Sequence, residues 1–408
     1  MLVVQGIAGM IAILLAGYML SSDRSHINWR AVGGAFAIQL TLGALVLYFP
    51  PGKAVLEAVA GVVINILGYA QAGMDFLFGS FASDSYGFVF ALQVLPIIVF
   101  FASLIGVLYH LGIMERLVAL IGGFIQQALK TSKAESMCAA TNIFIGQSES
   151  PIAIKPFLSK MTKSEIFAVM VGGMATVSGS VLGGYAAAGV EMRYLIAASF
   201  MAAPAGLMMA KLIKPEVESE NSDLAHVHED IVQHRAVNVI DAAAQGALQG
   251  LQLALAIGAL LLAFIGLIAM MNGIIGWAGS LLGVEALTLQ QILGYMFQPI
   301  AFLIGIPWEE TRQVGSLLGQ KLILNEFIAF LDMVSNHQNL TPRTTAIVTF
   351  ALCGFACLSS IAIVVGGIGI LVPERREEMS QLGLLAVVAA TLANLMSAAI
   401  AGVMITLS

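Results

Sequence analysis

The sequence predicts an all-α, polytopic membrane protein with eight transmembrane helices, two re-entrant helical hairpins and interfacial helices, arranged as an inverted repeat. Three observations predict it. The 408 residues are 59% hydrophobic and only 10% charged, whereas soluble domains carry about 25% charged residues. Two apolar runs each enclose a carboxylate, Glu149 and Glu326, where an ionisable group is costly and marks a functional position. Each of these runs is followed by a second apolar run interrupted by glycines and hydroxyls, so the same order occurs twice.

Several classes are set aside early. A net charge of -6 says little when most charges sit in short loops. Cys138, Cys353 and Cys357 all lie in apolar context and offer neither a disulfide framework nor metal spacing. The first residues lack a basic stretch and a small-residue cleavage site, so Val3 to Leu20 reads as a retained span rather than a signal peptide.

In chain order, Val3 to Leu20 is span one and a basic loop, Ser21 to Arg30, follows. Ala31 to Phe49 is span two, stopped by Pro50-Pro51-Gly52. Val55 to Phe78 is interrupted by Glu57, Gly68, Gly73 and Asp75 and reads as an interfacial helix. Phe88 to Leu111 is span three, and Glu115 to Lys130 a second surface helix.

Ala134 to Ser159 is the first hairpin. Its centre, Ile143 to Pro151, combines Gly146, which favours turns, with Ser148 and Ser150, which are good N-caps, and Pro151, which suits a first helical turn. Each arm is then about 10 residues, or about 15 Å, which is half a bilayer. Gln147, Ser148 and Glu149 form the tip.

Ile166 to Val190 is span four, with Ala175 to Ser180 as either a break that frees backbone carbonyls or a small-residue packing contact. Arg193 to Leu212 is span five. Lys214 to Asn238 is the one long hydrophilic stretch. Its His226, His228 and His234 have nothing to fix metal geometry and read as a solvated linker. Ala243 to Met271 is span six, and the glycine-rich Asn272 to Ala286 reads as interfacial. Leu289 to Met333 contains a second hairpin around Asn325-Glu326. Ala346 to Leu371 is span seven, interrupted at Gly354 to Ser360, and Leu382 to Leu407 is span eight.

The expected division is 1–112 as N-terminal scaffold, 113–213 as the first repeat, 214–242 as linker, 243–286 as the span-six scaffold and 287–408 as the second repeat. Gly146-Gln147 with Glu149 in one repeat is matched by Gly319-Gln320 with Glu326 in the other. Loop charge orients the chain. Arg24, Arg30, Arg116, Lys130, Lys133, Lys160, Lys163, Lys211, Lys214, Arg235, Arg375 and Arg376 fall on one side. Only Lys53, Arg193 and Arg343 fall on the other, and Lys155, Arg312 and Lys321 lie inside the hairpin regions. The basic side is cytoplasmic, which puts both termini outside.

The polar centre holds two kinds of candidate. Glu149 and Glu326 each require a partner in a dry site, and Gln147 offers both donor and acceptor to a heterocyclic edge. Asn142, Thr176 and free carbonyls near Ile145 and Val177 are hard oxygen ligands for a small cation, or else interhelical hydrogen-bonding groups.

At these residues the chain resembles the concentrative nucleoside transporter family. The motifs are Asn142 followed by Gly146-Gln-Ser-Glu149, Thr176-Val-Ser-Gly-Ser-Val181, Gly315-Ser-Leu-Leu-Gly-Gln-Lys-Leu-Ile-Leu-Asn-Glu326-Phe and Gly354-Phe-Ala-Cys-Leu-Ser-Ser360. The similarity spans nearly the whole chain. It implies a homotrimer in the bacterial inner membrane that imports nucleosides with a coupling cation by an elevator-like shift of the hairpin domain, and no enzymatic activity or cofactor. It implies that Gln147, Ser148 and Glu149 contact the nucleobase, that Val181 and Phe355 pack on it, and that Glu326 and Ser360 bind the ribose. Sodium would be held by the Asn142 and Thr176 side chains and the Ile145 and Val177 carbonyls. Asparagine at 142 favours sodium over proton coupling, since proton-coupled relatives can carry serine there.

One position departs. The family pattern is Gly-Phe-Ala-Asn-Phe-Ser-Ser, and Cys357 and Leu358 stand where that asparagine, a ribose ligand, and phenylalanine belong. A thiol is a weak donor and acceptor. A deoxynucleoside, an unusual nucleoside or low affinity for ribosides would each follow. Two other classes compete. An intramembrane serine hydrolase lacks any histidine near the hairpin tips in sequence, and a channel does not fit two capped hairpins.

Overall fold

The computed structural model describes residues 2–82, 89–147, 149–217, 236–281, 283, 287–337 and 339–408. Among the described residues the secondary structure is entirely helical. Ser148 and most of the hydrophilic linker, 218–235, lie outside them.

Helices α1 (Leu2–Met19) and α2 (Trp29–Leu47) match the first two expected spans. The Asn28 side chain caps α2 by accepting from the Arg30 and Ala31 amides. Pro50 opens α3 (Pro50–Phe78), as suits a residue with no amide donor. α3 runs unbroken through Gly68 and Gly73, where the sequence suggested interruptions. Nothing packs on either glycine, so their cost is only that of helix propensity, about 1 kcal/mol each.

A short piece, α4 (Phe90–Gln93), and the 16-residue α5 (Leu95–His110) follow, separated at Val94 before Pro96. The expected surface helix is α6 (Ile113–Leu129). It ends at Lys130, whose φ of 53° is left-handed.

The first hairpin departs from two equal half-helices. Its first arm is α7 (Lys133–Thr141), opened by a Ser132–Glu135 capping box. The returning arm is a 3-10 segment, Ser150–Ile154, followed by the single turn α8 (Lys155–Leu158). Pro151 and Pro156 explain the difference, because each removes an amide donor and fixes φ. The N-cap position falls on Glu149, with no side-chain cap bond, so Ser150 does not play the expected capping role.

Span four is broken as expected into α9 (Lys163–Ala175) and α10 (Gly179–Ala187), and α11 (Met192–Ile213) follows. α9 is buried from Ser164 onward and packs on α11. Lys211, near the end of α11, pairs with Glu135 and donates to Ser164 Oγ at 3.0 Å. It thereby ties the base of the first hairpin to α9 and α11.

α12 (Val239–Leu281) is a single helix of 43 residues. It absorbs most of Asn272 to Ala286, which the glycines had suggested would be a separate interfacial segment. α13 (Leu289–Leu303) is a helix of its own, packed on α14. The second hairpin occupies the last part of the expected region: α14 (Thr311–Ile323), a turn at Leu324 and Asn325, and α15 (Glu326–Asn336). Gly319 and Gln320 lie inside α14 rather than at its tip, and Gln320 Nε2 donates to Asp332 Oδ2 at 2.7 Å. The Gly-Gln match between the repeats is thus not a match of position.

Span seven is broken into α16 (Pro342–Leu352) and α17 (Leu358–Leu371), and α18 (Arg376–Leu407) closes the chain. Eight helical stretches among the described residues are long and apolar enough to cross a bilayer. Seven coincide with expected spans and the eighth is α3. The two parts of span seven, 11 and 14 residues long, are each too short alone.

Candidate functional site

The site begins at the two breaks. α9 stops at Ala175, and Thr176 turns extended, with φ -105° and ψ 171°. Its hydroxyl folds back to donate to Gly172 O at 2.9 Å, satisfying one of the carbonyls that a helix end leaves free. α16 stops at Leu352, and Cys357 is extended before α17, with φ -137° and ψ 163°.

The two breaks touch. Phe355 N–H donates to Thr176 O at 3.1 Å. A Cβ on Gly354 would lie 2.3 Å from Asn394 Oδ1 and 2.6 Å from Ala175 O, so only glycine lets the chains meet this closely. Asn394, on α18, joins both ends by donating from Nδ2 to Ala175 O at 2.7 Å and to Cys353 O at 3.3 Å.

The first hairpin tip docks on the break in span four. Gly179 N–H donates to Phe144 O at 2.9 Å. The Gln147 Cβ sits where a Cβ on Gly173 would be only 3.0 Å away. Gln147 is buried, and its Nε2 is 3.4 Å from Ser360 Oγ while its Oε1 has no partner among the described residues. Ser360 is buried in the first turn of α17, 3.2 Å from Cys357 Sγ. Cys357 is also 3.2 Å from Ser359 Oγ, and it occupies the N-cap position without making a side-chain cap bond.

Glu326 is the first residue of α15, placed there by Asn325, whose side chain accepts from Ile328 N at 2.9 Å. Its carboxylate is buried and accepts from the Tyr185 hydroxyl at 2.9 Å. Tyr185 is fully buried on α10, with its ring against Phe327 and Phe330. Glu326 therefore has the partner that a buried carboxylate requires. Glu149 does not: its side chain is exposed and bonds to no described residue. The sequence requires a partner for each carboxylate, from the protein or from a bound substrate, and among the described residues only Glu326 has one from the protein. Val181 is buried beyond the first break, and Phe355 is half-buried between the two spans. Ser148 is outside the described residues.

The expected cation ligands form a second group. Asn142 caps the end of α7 and is fully buried. Its Oδ1 has no hydrogen-bond donor. Among the described residues no hydrogen bond reaches the Ile145 or Val177 carbonyls either. An unsatisfied buried acceptor costs about 1–3 kcal/mol. Several hard oxygens left open beside a hairpin tip fit a small monovalent cation.

Sequence reasoning missed Tyr185, Asn394 and Lys321. Asn394 is the one amide in the apolar run of span eight, and Tyr185 follows two glycines in a half-span of small residues. Both are polar residues at membrane depth, and that was the signal available.

Two hairpins ending against two interrupted spans, with buried polar groups and open carbonyls between them, define a membrane transporter built on broken helices. Family models give this class its content. Na+ dependent nucleoside transporter N-terminus matches residues 8–81, Nucleoside recognition matches 91–192, and Na+ dependent nucleoside transporter C-terminus matches 194–402. The chain is 47% identical to the nucleoside permease NupC of Helicobacter pylori, over 98% of both proteins. It is 38% identical to human sodium/nucleoside cotransporter 1, over 98% of this chain and 63% of that one. Its structure matches CNTnw in an inward-facing substrate-bound state with a TM-score of 0.95 and 51% identity, covering 100% of this chain and 99% of that one. A CNTnw variant in an outward-facing state matches with a TM-score of 0.97, covering 100% of both chains.

The chain belongs to the concentrative nucleoside transporter family. It is a membrane transport protein and not an enzyme.

Proposed function

We propose that this protein imports nucleosides by symport with sodium. The observation that carries the reading is the pairing of two open polar sites at the breaks. One is the Gln147, Cys357 and Ser360 cluster beside the Tyr185–Glu326 pair. The other is the unsatisfied Asn142 Oδ1 with the free Ile145 and Val177 carbonyls.

In this reading Gln147, Ser148 and Glu149 meet the nucleobase, Val181 and Phe355 pack on its faces, and Glu326 and Ser360 take the ribose hydroxyls. The Gln147 amide brings a donor and an acceptor, and its unpaired Oε1 supports that role. Sodium sits between Asn142, Thr176 and the carbonyls of Ile145 and Val177. It supplies the positive charge that satisfies these oxygens, and the Asn142 side chain holds it next to the hairpin tip. Because the same tip carries Gln147, cation and nucleoside order one element, which is how their binding becomes coupled.

The hairpins with spans four, five, seven and eight move as an elevator against a scaffold of spans one to three and six. Three copies assemble as a homotrimer, with both termini outside and the first hairpin entering from the cytoplasm. α3 lies along the membrane surface rather than crossing it.

Cys357 leaves the sugar short of one strong ligand, so deoxynucleosides compete better here than an asparagine at that position would allow. A competition panel against labelled uridine in proteoliposomes, run beside Glu149→Gln and Glu326→Gln, tests the site. Loss of accumulation in both variants, with nucleosides and not bases or sugars competing, is the expected result. Undiminished accumulation in both would sink the reading.

A further inference from the structure

We propose that Lys321 is a built-in cation of the second repeat, its ammonium serving there the part that sodium serves in the first. This rests on the sodium reading above.

The two repeats place an end of a hairpin arm against the last turn of a broken span. In the first repeat, Asn142 at the end of α7 packs on α9, where a Cβ on Gly172 would be 3.3 Å from its Nδ2. The oxygens there are left open. In the second repeat, Lys321 in the last turn of α14 reaches the end of α16. Its Nζ donates to Ala351 O at 2.7 Å and to Asn394 Oδ1 at 2.8 Å.

The company Lys321 keeps is unusual for a lysine. It is buried, 3% exposed, and the Glu326 carboxylate attracts it from a distance, yet among the described residues no carboxylate forms a direct ion pair with it. It is held by a backbone carbonyl and an amide oxygen, the neutral hard ligands that coordinate alkali cations. Burying a charge with no carboxylate in direct contact is expensive, so an apolar side chain would be preferred if only packing mattered at this position. Asn394 fixes the arrangement, because its Nδ2 is committed to Ala175 O and Cys353 O and its Oδ1 is thereby turned to Lys321.

Space completes the case. A cavity of about 20 Å³ adjoins Lys321 and Ala351, lined mainly by Phe297, Ile300, Leu322 and Leu395. That is room for one water-sized species. Truncating Lys321 would merge the vacated side-chain volume with this cavity and leave Ala351 O and Asn394 Oδ1 open. In the unsubstituted chain the tethered ammonium excludes a metal ion from the second repeat, so one sodium accompanies each nucleoside.

The test is uridine uptake by Lys321→Ala in proteoliposomes, with Lys321→Met beside it. Uptake by Lys321→Ala should fall about tenfold at low cation, as expected for opened buried acceptors. Methylammonium or raised sodium should restore it, with the Hill coefficient for sodium rising from about 1 to about 2, the number of sites. Lys321→Met fills the space and should show no rescue. Normal uptake by Lys321→Ala with an unchanged Hill coefficient overturns the proposal. So does lost uptake that neither cation restores.

Thermal melting of purified Lys321→Ala with methylammonium reads the same site without transport. Stabilisation confined to that variant supports the proposal, and its absence counts against it. Sodium-independent uptake by the unsubstituted chain would instead remove the sodium reading on which the proposal stands, so the two failures are distinguishable.

Discussion

Tyr185 and Glu326 join the two repeats through one buried hydrogen bond: the phenol on α10 donates at 2.9 Å to the carboxylate that begins α15. Each comes from a different half of the chain, and the Tyr185 ring is clamped by Phe327 and Phe330. The phenol therefore has one way to point, and it fixes the carboxylate that the proposed reading assigns to the ribose hydroxyls.

Tyr185→Phe keeps the ring packing and removes the donor. A buried hydrogen bond to a charged group contributes about 1.5–3 kcal/mol, and part of that is recovered when substrate supplies its own donors. Uridine KM should rise about 5- to 10-fold with little change in melting temperature. Kinetics and melting measured together check this, and an unchanged KM would show that Tyr185 does not position Glu326.

Asn142→Leu removes the buried amide oxygen that no protein donor satisfies and replaces it with an apolar group of similar size. Sodium stimulation of uptake should be lost. Asn142→Ser should keep uptake while weakening its dependence on sodium. Sodium titration at fixed pH reads both, and an unaltered sodium response in Asn142→Leu would move the cation elsewhere.

Cys357→Asn should tighten uridine uptake for two separable reasons. Asparagine is a better N-cap than cysteine, and Cys357 makes no cap bond at the start of α17. The amide also adds a strong ribose ligand. The expected drop in uridine KM is about 5-fold or more, from about 1 kcal/mol or more. The gain should be smaller for a deoxynucleoside lacking the contacted hydroxyl. Equal KM and rate in the two forms would remove Cys357 from sugar recognition.

Gly354→Ala tests the contact between the breaks. Its Cβ would meet Asn394 and a backbone carbonyl of Ala175 well inside contact distance, and overpacking typically costs about 1–3 kcal/mol. Uptake and melting temperature should both fall. Gly366→Ala is the control: nothing lies within 4 Å of that position, and alanine should be neutral or stabilising by up to about 1 kcal/mol. Equal behaviour of the two variants would mean that the breaks do not need close contact.

Much of the fold is legible from local chemistry. Composition and run length give the spans, and hydroxyls with glycines at Thr176 to Ser180 and Gly354 to Ser360 mark both breaks, because these residues end helices wherever they cluster. The returning arm of the first hairpin is not legible in the same way. Pro151 reads as a helix start, and only its combination with Pro156 turns the arm into a 3-10 segment and one short turn. The start of the second hairpin is hidden because Pro299 and Pro307 both read as helix stops, whereas α13 runs through Pro299 and ends at Leu303. Motif spacing misplaces Gln320, whose partner Asp332 lies on the opposite arm. Tyr185, Lys321 and Asn394 are absent from the sequence-based site because their importance lies in long-range pairing, which no local pattern encodes. Lys321 reads from the sequence as a charge within a hairpin, yet it is buried and bonded to Ala351 O and Asn394 Oδ1.

The most direct measurement is accumulation of labelled uridine in proteoliposomes under an inward sodium gradient, with choline substituted for sodium at constant pH. Concentrative uptake in sodium that collapses in choline is the predicted result. Equal accumulation in the two media would contradict the account.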